Sequence, residues 1–112
     1  MPGRVRKLKA GHLKLPHIGW NQIERLGQSP LLPADAENRD YFFVHSYILE
    51  CPEQYIVAKC EYGEPFAAVV QRENVFGIQF HPEKSRDAGL NILRNFLSGG
   101  SCSKSAWFLS SF

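Results

Sequence analysis

The apolar and polar positions divide the chain into a loop-rich first third, a strand-rich middle and a helix. "YFFVHSYILE" (41–50) is aromatic, β-branched and nearly continuously apolar, which predicts a strand covered on both faces. "QYIVAKC" (54–60), "FAAVVQ" (66–71) and "NVFGIQF" (74–80) predict three more strands. Only the short polar "REN" separates the last two, so an antiparallel hairpin is their simplest pairing. The period then changes. In "SRDAGLNILRNFLSGG", Leu90, Leu93, Phe96 and Leu97 recur at helical spacing and predict a helix over about 86–98 with one apolar stripe. Ser85 reads as its N-cap, Asp87 complements the helix dipole, and Gly99 suits the position just past its end.

The flanking segments lack such order. Residues 1–15 are basic and read as a solvated, irregular stretch, because Pro2, Gly3, Gly11 and Pro16 interrupt any amphipathic helix. "PHIGWNQIERL" follows, then "GQSPLLPADAENRD", whose Pro, Gly, Asp and Asn content marks a long surface loop. At the other end, small polar residues surround Trp107, Phe108, Leu109 and Phe112 without a period. The expected organisation is one domain over 1–98 and an atypical tail over 99–112, read either as a docking tail or as an abnormal end to the reading frame.

Composition narrows the function classes. A chain of 112 residues with 44% hydrophobic content supports one small folded domain. A net charge of +2 is too mild to indicate a nucleic-acid partner. No apolar run approaches the roughly 20 residues that span a bilayer, so no membrane partner is expected. Cys51, Cys60 and Cys102 are an odd number without metal-type spacing. With no signal-peptide hydrophobic segment, a reducing, cytoplasmic setting is expected, and Cys51 and Cys60 read as reduced thiols in or beside strands.

One short string carries chemistry. In "GIQFHPEKS" the most apolar strand stops on His81, Pro82 and Glu83. Groups that react collect beyond the carboxyl ends of strands in open α/β sheets. A histidine acting as general base needs its second ring nitrogen bonded to a carboxylate, which sets its tautomer and steadies the imidazolium. Proline fixes one backbone torsion between the two side chains. By itself, H-x-E also describes an ordinary polar loop after a strand.

The longer pattern resembles a known family. "GIQFHPEKS" followed by "GLNILRNF" is similar to the C-terminal signature of class I (triad-type) glutamine amidotransferases. "PHIGWNQ" (16–22), "YFFVHSY" (41–47) and Tyr62-Gly63 followed by "FAAVV" resemble the glutaminase subunits of imidazole glycerol phosphate synthases, over about residues 2–97. The resemblance implies the C-terminal half of a flavodoxin-like α/β domain. It also implies L-glutamine as substrate and a (β/α)8-barrel cyclase subunit as partner, in histidine biosynthesis, with no cofactor or metal. His81 and Glu83 would be two members of a Cys–His–Glu triad. Ser46 and Tyr47 would line the glutamine site, while His45 reads as a packed or hydrogen-bonded strand histidine. By the same resemblance Trp20, Asn21 and Lys84 would fall on the cyclase interface, and so would Phe42, where family members often carry tyrosine.

The resemblance also exposes a gap. The family's nucleophile sits on a G-x-C-x-G elbow that aims backbone N–H groups at the developing oxyanion. None of "ILECPEQ", "VAKCEYG" and "GGSCSKS" has glycines at both flanking positions. The expectation is a chain that carries the His–Glu part of a glutaminase and is inactive alone. The alternatives are a non-catalytic module that docks on the cyclase, and a metal site using His45, His81 and Glu83. The resemblance accounts for the last three residues without a metal.

Overall fold

The computed structural model describes residues 3–97 and the backbone of the strand at 105–108. In chain order the strands are β1 (Arg4–Lys7), β2 (His17–Asn21), β3 (Glu24–Arg25), β4 (Tyr41–His45), β5 (Tyr47–Glu50), β6 (Ile56–Tyr62), β7 (Glu64–Arg72), β8 (Val75–Ile78) and β9 (Ser105–Phe108). A helix, α1 (Arg86–Leu97), follows β8. The main sheet has the order β3-β6-β7-β8-β9; β1 pairs with β5 and β2 with β4 in two-stranded ladders. All pairings are antiparallel except β8 with β9, which is parallel.

The α/β class and antiparallel pairing match the sequence expectation, and the differences lie in where elements begin and break. The expected strand 41–50 is interrupted at Ser46 and becomes β4 and β5, each with its own partner. β4 alternates: Tyr41, Phe43 and His45 face inward while Phe42 and Val44 are half-buried. Coverage on both faces belongs instead to β7, where Phe66 to Val70 are buried without interruption. The strand expected at 54–60 starts later, after a 3-10 turn at Glu53–Tyr55.

β6 and β7 form a tight hairpin at Gly63, with Tyr62 opposite Glu64. Gly63 adopts φ +79°, and a Cβ there would lie 2.5 Å from the Ala10 Cα. Only glycine meets both the backbone and the packing demand. The expected β7–β8 hairpin is present, with Arg72 opposite Val75.

Two further expectations are overturned in part. The basic first segment is irregular over residues 8–15 but ordered at Arg4–Lys7, where Arg6 lies between two carboxylates, with its Nε 2.5 Å from Glu50 and its terminal nitrogens 2.7 and 2.8 Å from Glu64. These forked, charge-assisted bonds hold β1 against β5 and the start of β7. They also keep the Glu64 carboxyl down at about 2. The apolar stripe of α1 is different too. Ala88, Gly89 and Ile92 are buried and Phe96 packs against the core, whereas Leu90 and Leu97 are exposed. Gly99 and Cys102 lie outside the described residues.

The core sits between the inner faces of β4, β6 and β7 and the helix. Phe43, Phe80 and Phe66 meet edge to face, with Phe43 5.9 Å from Phe66 and 5.7 Å from Phe80 between ring centres. Burying each such side chain contributes roughly 1.5–3 kcal/mol. The turn after β8 is therefore seated on a close-packed floor.

Candidate active site

β8 ends at Ile78, but the chain stays tied to its neighbours for three more residues. The Gln79 N–H donates to the Ala68 carbonyl at 2.9 Å, and the His81 N–H donates to the Phe42 carbonyl at 2.9 Å. His81 is extended (φ −91°, ψ 101°), as a residue before proline prefers, and Pro82–Lys84 form a 3-10 turn. Within this turn His81 Nδ1 lies 2.6 Å from Glu83 Oε1. An ionised carboxylate can only accept, so Nδ1 carries the proton and the lone pair of a neutral ring is on Nε2. Among the described residues, Nε2 has no hydrogen-bond partner. The imidazole is largely sheltered, with its side chain 21% exposed, while the carboxylate is 55% exposed.

Ser85 locks this turn. Its buried hydroxyl accepts the Phe42 N–H at 2.9 Å and donates to the His81 carbonyl at 2.6 Å. Together with the His81 N–H bond to Phe42, these contacts close a ring between the turn and β4. Ser85 is thus not the side-chain N-cap expected from the sequence. Its hydroxyl is committed to β4 and His81, and its backbone carbonyl accepts from the Gly89 N–H. Arg86 then adopts φ +54°, a left-handed conformation that redirects the chain into α1. The helix approaches so closely that a Cβ on Gly89 would lie 1.8 Å from the Pro82 carbonyl oxygen.

Beside this turn is a partly apolar face. Trp20 on β2 is opposite Phe42 on β4, their ring centres 5.5 Å apart, and the Arg86 guanidinium lies 5.0 Å from the Trp20 ring centre. Trp20 is 45% exposed and its strand neighbour Ile18 61% exposed. A surface hollow of about 480 Å³ is lined by Trp20, Arg39, Asp40 and the start of α1. Lys84 is exposed at the end of the Pro82–Lys84 turn, its N–H donating to the His81 carbonyl. Asn21 is turned inward, its side-chain nitrogen 3.3 Å from His17 Nε2 and 3.4 Å from the Glu61 carbonyl.

Ser46 and Tyr47 are elsewhere. They form the corner between β4 and β5, past the opposite end of β4 from Phe42, about 13 Å along the strand at about 3.3 Å per residue. No hydrogen bond joins them to His81 among the described residues. His45 is a buried, hydrogen-bonded strand histidine: one ring nitrogen faces His17 and the other the Tyr47 carbonyl, so it does not converge with His81 and Glu83. Nor do the described thiols resemble activated nucleophiles, whose ionisation is normally made easier. Burial pushes the Cys60 thiol up to about 12, and burial also raises Cys51.

Residues 4–99 match the family described as glutamine amidotransferase class-I. The chain belongs to that family. Among relatives, it is 44% identical to the imidazole glycerol phosphate synthase subunit HisH of Photobacterium profundum, covering 83% of this chain and 46% of that protein. It is 45% identical to the corresponding subunit of Pasteurella multocida, over 87% of this chain and 48% of that one, and 44% identical to HisH 1 of Campylobacter jejuni strain RM1221, over 77% and 43%. This amidotransferase chain thus spans somewhat less than half the length of these relatives. Its strands and helix are those of a partial flavodoxin-like class I domain.

Two residues that shape this region, Ser85 and His17, differ from or go beyond what the sequence predicts. Ser85 was assigned to the helix, and His17 was not singled out. The signals were present: a serine directly after the His-Pro-Glu-Lys string, and a second histidine at an apolar strand position in "PHIGW".

Proposed function

We propose that this chain is the C-terminal part of the glutaminase subunit of an imidazole glycerol phosphate synthase, and that His81 and Glu83 are its catalytic acid–base pair. The observation that carries this reading is the 2.6 Å contact that orients the His81 ring and leaves Nε2 without a partner. In the proposed reaction, Nε2 removes the proton of a cysteine thiol, and the thiolate attacks the glutamine side-chain amide. The protonated imidazole then donates to the departing nitrogen, releasing ammonia and leaving a thioester. Water activated by the same nitrogen hydrolyses the thioester to glutamate. Glu83 holds the tautomer and stabilises the imidazolium throughout.

The thiolate comes from polypeptide outside this sequence. The high ionisation points of Cys51 and Cys60 support that, as does the lack of a G-x-C-x-G string. The chain alone is therefore inactive. Ser46 and Tyr47 contact glutamine, and Trp20, Asn21, Phe42 and Lys84 meet the cyclase subunit. No cofactor or metal takes part, and the setting is cytoplasmic. Losing the tyrosine hydroxyl at Phe42 removes one hydrogen bond from that interface.

Co-expression with the N-terminal half of one of these relatives tests this. Glutamate release should appear only in the combined preparation and vanish with His81→Asn. Turnover that survives His81→Asn would contradict the assignment. A second reading, a non-catalytic module that docks on the cyclase, is favoured by the exposure of Trp20 and Ile18 beside Phe42. Capture of the cyclase without restored turnover supports that reading instead.

A further inference from the structure

Two buried imidazoles lie outside the His81 turn, and both are 2% exposed: His17 on β2 and His45 opposite it on β4. Their hydrogen bonds have only one consistent direction. The Tyr47 carbonyl can only accept, so the His45 Nδ1 at 3.2 Å must carry a proton. In a neutral ring His45 Nε2 is then an acceptor, and the His17 Nδ1 at 3.0 Å must donate to it. His17 Nε2 is left to accept from the Asn21 side-chain amide at 3.3 Å. The neutral state follows from the surroundings: the Tyr62 ring stacks on His17 at 4.0 Å and Phe66 lies 4.9 Å from His45, so burial lowers the affinity of both rings for a second proton.

This hydrogen-bond relay reaches the corner where β4 breaks. The Ser46 carbonyl accepts the Leu8 N–H at 2.9 Å, and the Tyr47 carbonyl takes His45, so both peptide units of the corner are pinned. We propose that His45, oriented by His17, is the positioning residue of the Ser46–Tyr47 corner, and that the relay ties this corner to Asn21 on the strand that carries Trp20. The inference rests on the reading above for the corner's contact with glutamine. It adds a structural link between the proposed substrate segment and the proposed docking strand. Because the corner would hold substrate rather than the reacting atoms, disturbing it should alter glutamine affinity and leave the chemical step intact.

Two amide substitutions separate the halves of the relay. Asparagine places its amide near the position of Nδ1 and keeps a donor for the Tyr47 carbonyl; glutamine reaches the position of Nε2 and keeps only the acceptor for His17. In nitrogen-15 spectra of the whole chain, wild-type His45 should be protonated at Nδ1. His45→Gln should shift the Ser46 and Tyr47 amide signals and speed their solvent exchange, and His45→Asn should leave them near wild type. Asn21→Ala should move the His17 ring signals and, through them, those of His45. Protonation of His45 at Nε2, or the same corner spectrum in both His45 variants, overturns the proposal. In the combined preparation with the N-terminal half, His45→Gln should raise KM about 2–10-fold, the equivalent of one lost hydrogen bond, with kcat unchanged. A fall in kcat at constant KM also overturns it. If the wild-type combination shows no turnover, the glutaminase reading fails, while the spectra still decide the relay.

Discussion

Replacing Ser85 gives opposite outcomes depending on what its hydroxyl does. In the structure the hydroxyl bridges the Phe42 N–H and the His81 carbonyl, and the side chain is 1% exposed. Ser85→Ala leaves the Phe42 N–H buried without an acceptor, while the His81 carbonyl keeps the Lys84 N–H. An unsatisfied buried donor costs about 1–3 kcal/mol, and the lost donation to His81 adds about 0.5–1.5 kcal/mol. The expected destabilisation is therefore about 1.5–4.5 kcal/mol. If Ser85 were only a helix N-cap, alanine would cost about 1 kcal/mol. Aspartate separates the two roles more sharply. It caps helices as well as serine does, but it cannot donate to the His81 carbonyl and would bury a charge. We expect Ser85→Asp to be at least as destabilising as alanine, measured by urea unfolding of the purified chain. Wild-type stability in Ser85→Asp would refute the bridge and restore the cap.

Other consequences follow from the same contacts. Gly89→Ala forces a methyl against the Pro82 carbonyl, with backbone on both sides and no flexible side chain to yield. It should destabilise by about 1–3 kcal/mol or more, despite alanine's better helix propensity; a neutral or stabilising result in urea unfolding would contradict the close approach. The buried histidines set a pH dependence. His17 is held down to about 4, chiefly by burial, against 6.5 when exposed, so between these values the unfolded chain binds a proton that the folded chain refuses. Stability should therefore be complete above pH 6.5 and fall as pH drops toward 4, by about 3 kcal/mol for His17 at about 1.4 kcal/mol per unit, with His45 adding in the same direction. Urea midpoints measured across this range check it, and a flat profile would show that the pair is not held neutral.

What could be read from sequence depended on how far apart the interacting groups lie along the chain. The His81–Glu83 contact was legible because both members sit in one proline-containing turn. The β7–β8 hairpin was legible for the same reason, since only a few residues join the two strands. Ser85 looked like a cap because its real acceptor role involves the Phe42 N–H, 43 positions away. The ordering of β1 was hidden similarly: Arg6 finds Glu50 and Glu64 at separations of 44 and 58 positions. The helix stripe was misjudged because leucines outweighed Ala88 and Gly89, yet only small residues permit the approach to Pro82. Hydrophobicity marks which residues prefer burial; the geometry of the neighbouring turn decided which could have it.

The most direct test of the His81–Glu83 pair is the turnover of Glu83→Gln in the combined preparation with an N-terminal half. Glutamine can still touch the imidazole, but it does not enforce the tautomer or stabilise the imidazolium. The pair as described requires kcat to fall by roughly 10²–10⁴ with KM nearly unchanged, by analogy with loss of the orienting acid in other triads. Wild-type kcat in that variant would mean that the acid beside His81 has no part in the chemistry.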